Sequence, residues 1–270
     1  MKKYRHVIAI GIQNNLTYRF NYLTRTLFSF IPLFAMLSLW RTVYANSNGG
    51  SHSGYTEAQI IFYYLMVAVV DVFTAVNEDD WQIAADIREG NISQFLLKPV
   101  DYLWYRLCLF FSGRVAFVMM AFIPLAIFLF CFRAYLIFPA SGTALLVFPL
   151  SLFLTALLQF FISYAMAMLA FWLLEISTLI FILFAFEYIA SGHVFPLSML
   201  HSSHPLLEHI LFFTPFPYQL YFPVSIYMGK ISGSSLWFGL LAQFGWVLLM
   251  YGLARFMWRR GIKKYSAFGG

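Results

Sequence analysis

Charged residues are scarce in this sequence. Asp, Glu, Lys and Arg make up 10% of its 270 residues, whereas soluble domains carry about 25%. Hydrophobic residues reach 61%, and the mean hydropathy is +0.76. So little polar material cannot cover a soluble globule, and we predict an integral membrane protein. Because a spanning helix takes about 20 residues, the length suits a single domain over 1–270 with about six spans and no separate large soluble domain.

Cysteine and nucleotide-binding glycine motifs are also lacking. The two cysteines, Cys108 and Cys131, lie in apolar runs, which excludes a disulfide framework and zinc-ligand spacing. No Gly-x-x-x-x-Gly-Lys-Ser/Thr motif occurs, since Gly229-Lys230 is followed by Ile231 and has no preceding glycine at the required spacing. We therefore expect this chain to bind no ATP and no other cofactor by itself.

Long hydrophobic runs are abundant instead. They predict an all-α polytopic membrane protein with six transmembrane helices, at about 22–44, 57–76, 107–132, 143–172, 176–191 and 235–257. Ahead of them, residues 1–21 mix basic and apolar side chains in a pattern typical of an amphipathic helix on the membrane surface. This predicted interface helix carries Arg5 and Arg19.

The distribution of Lys and Arg predicts the orientation in the membrane, because these residues accumulate in short cytoplasmic loops. Six spans place fourteen of the 17 on one side and leave Arg41, Arg133 and Lys230 on the other. Both termini are therefore predicted to be cytoplasmic. The net charge of +6 follows from this arrangement around the spans, so nucleic acid is not an expected partner. The fourteen are Lys2, Lys3, Arg5, Arg19, Arg25, Arg88, Lys98, Arg106, Arg114, Arg255, Arg259, Arg260, Lys263 and Lys264.

The longest charged segment, 79–106, is predicted to lie in the cytoplasm between the second and third spans. Within it, residues 86–101 interleave charges with isoleucine, leucine and phenylalanine, so short helices there would present an apolar stripe to one partner and charges to another. Gly90 is predicted to end one helix and Ser93 to begin the next. The alternative is a solvated loop with a single helical turn.

The same segment resembles the glutamate-glycine, leucine-leucine, proline signature of ABC-2 type permeases, through 88–90, 96–97 and Pro99. The stretches Leu-Leu-Lys-Pro-Val-Asp-Tyr at 96–102 and Trp-Arg-Arg-Gly at 258–261 are similar to one poorly characterised subfamily. One departure is Asn91, where the broader family usually has threonine. The residues that the resemblance assigns to ATPase coupling are Asp86, Arg88, Glu89, Gly90, Leu96, Leu97 and Pro99.

The resemblance implies the membrane subunit of an ABC exporter, located in a bacterial inner membrane. Residues 79–106 would contain the coupling helix, which contacts separate ATPase subunits that hold ATP and Mg. A second copy or a similar permease would complete the pathway, and lipids would surround it. The family also has short re-entrant helices between its last two spans, which would fall in 192–233, a segment punctuated by prolines. The substrate is not indicated.

Two acidic residues lie within predicted spans, Asp71 in the second and Glu187 in the fifth. A carboxylate is costly in hydrocarbon, so each is predicted to face protein or water. Both are candidates for the substrate path or a proton relay, or are satisfied between helices. The histidines at 193, 201, 204 and 209 invite a metal hypothesis, but no cysteine or well-spaced carboxylate completes a site, and we expect none.

Two other functions stay open on residue types. An intramembrane enzyme, such as a lipid-modifying transferase, needs a nucleophile with a base or metal ligands at matching depth, and no such motif is visible in the sequence. A non-transporting membrane scaffold that binds an ATPase would share the coupling segment but move no solute.

Overall fold

The computed structural model describes residues 2–17, 19–46, 54–76, 79–139, 141–173 and 175–265. Their architecture is helical, as predicted. The α-helices are α1 (Lys2–Thr17), α2 (Arg19–Asn46), α3 (Glu57–Thr74), α4 (Asp79–Arg88), α5 (Ile92–Leu96), α6 (Tyr102–Cys131), α7 (Gly142–Ala167), α8 (Ser177–Ala190), α9 (Leu200–Ser203), α10 (Pro205–Phe212), α11 (Tyr221–Tyr227) and α12 (Ser234–Lys264). Short 3₁₀ helices occupy Arg133–Tyr135, Met168–Phe171, Leu197–Met199 and Phe216–Gln219.

Five helical stretches in the described ranges are long and apolar enough to cross a membrane. They correspond to the predicted spans one to four and six. The predicted fifth span is α8, an apolar helix of 14 residues. At 1.5 Å per residue α8 is about 21 Å long, about two thirds of a hydrocarbon core. Six complete spans therefore stay a prediction. The five stretches are Thr26–Asn46, Glu57–Thr74, Tyr102–Cys131, Gly142–Phe171 and Ser234–Lys264.

Polar residues set the start of three of these helices. Thr56 and Gln59 form a reciprocal capping box at α3, which satisfies amide groups that have no partner inside the helix. Asp101 accepts a hydrogen bond from the amide of Trp104 at α6, and Ser141 accepts one from Ala144 at α7. The predicted interface helix ends earlier than expected, because α1 stops at Thr17 and α2 already begins at Arg19.

Helix α3 lies at the centre of the molecule. Its residues 60–67 are all buried, and α3 contacts α2, α6, α7 and α11. Helix α7 lies against α12 along a polar seam, where the Gln243 amide donates to the Tyr218 carbonyl at 2.9 Å and to Thr155 Oγ1 at 3.0 Å. Because these groups are buried, the seam fixes the 3₁₀ turn that holds Tyr218 against the middle of both helices.

The segment after α8 also bonds to the middle of α3. The Tyr63 hydroxyl donates to the Gly192 carbonyl at 2.6 Å, and the Tyr64 hydroxyl donates to the Val194 carbonyl. Tyr63 lies six residues, or about 9 Å, beyond the start of α3. The chain after α8 therefore turns back at a point beside the interior of a spanning helix, where carbonyls in a membrane need protein partners.

Candidate functional site

The segment between α3 and α6 folds as two short helices joined at Gly90. Helix α4 ends at Arg88, Gly90 has φ +80°, and α5 begins at Ile92. Glycine suits this left-handed position because it has no Cβ to clash with the backbone. The prediction that Ser93 begins the second helix was wrong, since Asn91 occupies the N-cap. Ser93 instead lies 2.9 Å from the Tyr265 hydroxyl, near the end of the described chain.

One side of this segment is buried against the bundle. Ile83, Ile87 and Ile92 are buried, and α4 contacts α7 and the 3₁₀ turn 168–171. Ala84 packs on Ile176 and Ile180 at the start of α8. The isoleucines of the predicted apolar stripe thus face the protein's own helices, which makes the segment a structured element instead of a solvated loop.

The opposite side exposes leucines. The exposed fraction is 89% for Leu97 and 51% for Leu96, and Pro99 beside them is also exposed. The Lys98 ammonium lies 4.9 Å from the centroid of the Phe95 ring, so a cation borders this surface. We call the exposed patch of Leu96, Leu97, Lys98 and Pro99 the leucine tip. Large exposed apolar side chains beside a charge are typical of a protein contact surface.

Asp86 faces inward, towards α6. Its carboxylate accepts a hydrogen bond from the Tyr102 hydroxyl at 2.6 Å and lies 3.7 Å from the guanidinium of Arg106. Arg106, 5% exposed, also donates to the side-chain oxygen of Gln82 at 3.3 Å. A buried cation of this kind needs such partners. Asp86 and Arg106 therefore join α4 to the first turns of α6.

Arg88 and Glu89 lie on the exposed part of the segment. Arg88 lies 3.7 Å from Glu175, just ahead of α8, and Glu89 accepts a hydrogen bond from the Asn91 side chain at 3.2 Å. Hydrogen bonds from Ser177, and then the nearby Arg88 guanidinium, lower the pKa of the Glu175 carboxyl. Glu175 therefore stays ionised at neutral pH, although such an exposed pair contributes little to stability.

The two stretches that carry the family resemblance meet in space. The ring of Tyr102 stacks on Trp258, with centroids 5.0 Å apart and planes at 9°. Asp101 forms an ion pair with Arg255, one turn before the Trp-Arg-Arg-Gly stretch. Sequence reasoning missed Arg255 and Tyr265 as partners of this segment. Position 101 carried a signal, as an acidic residue before a long apolar run is a good cap, but nothing local pointed to its partner.

Helix α1 lies along the first turns of α6. The Asp101 amide donates to the Tyr4 hydroxyl at 3.3 Å. A Cβ added to Gly11 would lie 2.2 Å from Ser112 Oγ, so only glycine permits this approach. Arg5 on α1 is exposed. Arg19 opens α2, and its side chain lies outside what the structure describes.

Asp71 lies in a cavity of about 330 Å³ between α2, α3, α6 and the end of α8, and its carboxylate is 3.2 Å from His193 Nε2. Tyr188 stacks on the imidazole at a centroid distance of 4.7 Å. Glu187 is not among the residues that line the cavity, so the two predicted acidic candidates are not brought together. The lining comprises Ser29, Phe30, Pro32, Leu33, Met36, Tyr64, Val67, Ala68, Asp71, Val72, Ala75, Arg114, Phe117, Tyr188 and His193.

The histidines do not converge on a metal site. His201 lies 2.8 Å from Glu208, whereas His193 lies against Asp71, and within the described ranges no group of three His, Cys, Asp or Glu residues could hold an ion. His193 Nδ1 also lies 2.7 Å from Ser191 Oγ. This makes a serine, histidine and aspartate chain that sequence reasoning missed, but Ser191 is fully buried and does not line the cavity. Ser191 is therefore not accessible as a nucleophile from the cavity.

The long apolar helices around a buried polar centre, with a structured segment at one end, define a multi-pass α-helical membrane protein. The sequence matches the family described as "ABC-2 family transporter protein" over residues 30–269. That match covers most of the chain, which therefore belongs to this family, as the resemblance predicted. Searches of curated proteins and of solved structures give no match.

Proposed function

We propose that this chain is the permease subunit of an ATP-driven exporter and that the leucine tip docks on a separate ATPase subunit. Family membership points to a permease whose ATPase is another polypeptide. The observation that carries the proposal is the 89% exposure of Leu97 at the end of a segment whose other side is buried. The side chain of a leucine exposed in this way is removed from water only when a partner covers it, and that removal is favourable.

The contacts of the segment provide a route for movement. Ser93 reaches Tyr265 after α12, Asp86 reaches α6, and α4 lies on α7. A displacement of α5 by an ATPase would therefore act on three spanning helices together, through packed side chains that resist local deformation. In this proposal ATP and Mg are held by the ATPase, and Gly90 lets α4 and α5 keep their angle.

The rest of the assembly follows from the same proposal. Two permeases, identical or similar, form the pathway in a bacterial inner membrane, with both termini in the cytoplasm and transport outward. Short helices α9–α11 are re-entrant, which is supported by the bonds from the middle of α3 to residues 192 and 194. We place Asp71 on the substrate path because it lines a cavity of a size that small ligands fill. Glu187 stays a second candidate.

The experiment compares wild type with Leu97→Asp after purification in mild detergent from the cells that naturally express the chain. We expect an ATPase to co-purify with wild type and to be reduced at least about tenfold with Leu97→Asp, because a charge in an apolar contact costs more than about 1.4 kcal/mol. The measurement is ATP hydrolysis per mole of permease in the eluate.

Phe138→Asp is the matched control. Phe138 is 83% exposed, and it lies between α6 and α7, at the end of α6 far from the leucine tip. This variant should retain the ATPase at the wild-type level. Equal retention by Leu97→Asp and wild type, or no ATPase with any of the three proteins, would contradict the proposal.

A further inference from the structure

A groove that the proposed function does not use lies between the end of α12 and the turn after α7. Its volume is about 670 Å³, and its lining is Trp172, Phe256, Arg260, Lys263 and Lys264. Beside the groove α12 approaches the 3₁₀ turn very closely at Gly261, where a Cβ would lie 2.2 Å from the ring of Phe171. Phe171 thus fills the space beneath the groove, and Trp172 forms one edge.

The side chains in the groove fall into two kinds, cationic and aromatic. Three are cations, and in the described part of the chain no carboxylate lies within ion-pair distance of Arg260, Lys263 or Lys264. The neighbouring Arg255 differs, because its charge is compensated by Asp101. A threefold positive charge without counter-charge favours an anionic ligand, and phosphate is a ligand that both Arg and Lys bind well.

The aromatic part of the lining is exposed. Phe256 is 55% exposed and carries the Arg260 guanidinium 5.4 Å from its ring centroid, while Trp172 is 38% exposed. Exposed apolar side chains continue from Phe256 along α12 to Leu253, Leu249 and Leu248. A free phosphate would gain nothing from this surface, whereas the acyl chains of a lipid would cover it.

The length of α12 places the groove at the right level. Its 31 residues extend about 46 Å, well beyond a hydrocarbon core of about 30 Å. The apolar part of α12 ends at about 257, so the cations from 260 to 264 lie where lipid headgroups begin. Aromatic rings and cations at this level are typical anchors at the membrane surface.

We propose that this groove is a binding site for the headgroup of an anionic phospholipid, with Arg260, Lys263 and Lys264 on the phosphate and Trp172 and Phe256 beside the upper acyl chains. This inference does not depend on the ATPase partner, because it rests on the charges and length of α12 and on the rings of Phe256 and Trp172. Each cation near an anionic membrane surface adds to the attraction of anionic lipid, so removal of the three together is expected to weaken affinity tenfold or more.

The test is native mass spectrometry of the full chain in detergent, titrated separately with phosphatidylglycerol, phosphatidylcholine and inorganic phosphate. Wild type should retain phosphatidylglycerol at concentrations about tenfold below those needed for phosphatidylcholine. Inorganic phosphate should not displace the bound lipid at equal concentration. Equal retention of both lipids, or displacement by phosphate alone, would overturn the proposal, the second outcome by showing a site for free phosphate.

Two triple variants locate the site. Arg260→Gln, Lys263→Gln, Lys264→Gln should lose the preference for phosphatidylglycerol, whereas Arg41→Gln, Arg133→Gln, Lys230→Gln removes the same charge elsewhere and should keep it. If the first variant keeps the preference, the groove is not the site. If it keeps the lipid and loses a co-purifying ATPase, the cations bind protein instead. Arg260→Lys, Lys263→Arg, Lys264→Arg preserves the charge and should bind as wild type, which separates loss of charge from failure to fold.

Discussion

At the scale of single residues, Gly261 decides how closely α12 can approach the turn after α7. The ring of Phe171 occupies the position that a side chain at 261 would need, and the Cβ of alanine would lie 2.2 Å from it. Trp258 lies on the same helix, stacked on Tyr102. Packing against Phe171 therefore explains the glycine of the Trp-Arg-Arg-Gly stretch. The stacking of Trp258 on Tyr102 depends on the same close approach of α12.

We expect Gly261→Ala to lower the stability of the folded protein by about 1–3 kcal/mol, the usual cost of overpacking. Gly252→Ala is the control, because it lies on the same helix with nothing within 4 Å of the added Cβ, where alanine should stabilise the helix by up to about 1 kcal/mol. Thermal unfolding in detergent measures both. If the two variants unfolded at the same temperature, the close approach would not be a determinant of stability.

Gly90 has a different role, which concerns the backbone. At φ +80° any other residue is strained by about 1–2 kcal/mol, and the nearest atom to an added Cβ, the Tyr265 hydroxyl, is at an ordinary contact distance of 3.5 Å. Gly90→Ala should therefore shift the angle between α4 and α5 and reduce the ATPase that co-purifies with the chain.

Gly229→Ala carries the same kind of strain, at φ +70°, in the segment between α11 and α12. It should lose similar stability but retain the ATPase. Co-purification that falls equally in both variants would show that strain, and not the position of α5, causes the loss.

At the scale of secondary-structure elements, the bond between α3 and the chain after α8 joins parts of the sequence that are 122 residues apart. Asp71 and His193 make this link beside a cavity, together with the carbonyl bonds from Tyr63 and Tyr64. Within lipid these groups have no water to replace their partners. The link therefore holds the segment at the depth of α3.

We expect Asp71→Asn and His193→Ala each to speed hydrogen exchange of the amides at 191–195, and the double variant to exchange no faster than the worse single variant. Such non-additivity identifies two residues that act through one contact. Glu57→Gln, an exposed change at the start of the same helix, should leave exchange unchanged. Additive effects of the two central changes would show that they act through separate contacts.

The elements themselves were largely predictable, and their pairings were not. Apolar runs and the glycine at 90 predicted the spans and the break between α4 and α5, because helix formation and helix ends depend on neighbouring residues. The predicted start of α5 at Ser93 was wrong, since α5 begins at Ile92, and the contact of Ser93 with Tyr265, 172 residues further along the chain, has no local signal. The side of the segment that faces outward became clear only from packing.

At the scale of the whole molecule, the orientation of the termini tests how many times the chain crosses the membrane. Five long helices alone would place the two termini on opposite sides, whereas α8 as a sixth crossing, completed by the segment after it, places both on one side. Fourteen of 17 Lys and Arg favour the second arrangement.

The variant Ser141→Cys, between α6 and α7, should therefore react with an impermeant maleimide from outside intact cells, after Cys108→Ala and Cys131→Ala have removed the native thiols. A tag after Gly270 should be reached by protease only in opened cells. The cysteine-free parent is the background control. A tag cleaved in intact cells would establish an odd number of crossings and remove α8 from the spans.

The sequence alone determined the class of this protein, the places of its long helices and its family, which the family match confirmed. These depend on composition, on apolar runs and on short motifs, which are local properties. Only the tertiary structure paired Asp101 with Arg255 across 154 residues, and Asp71 with His193 across 122. It also left Leu97 in solvent while Ile87 was buried. Such choices depend on which helix faces lie together, and that is decided by packing of the whole chain, which no local pattern records.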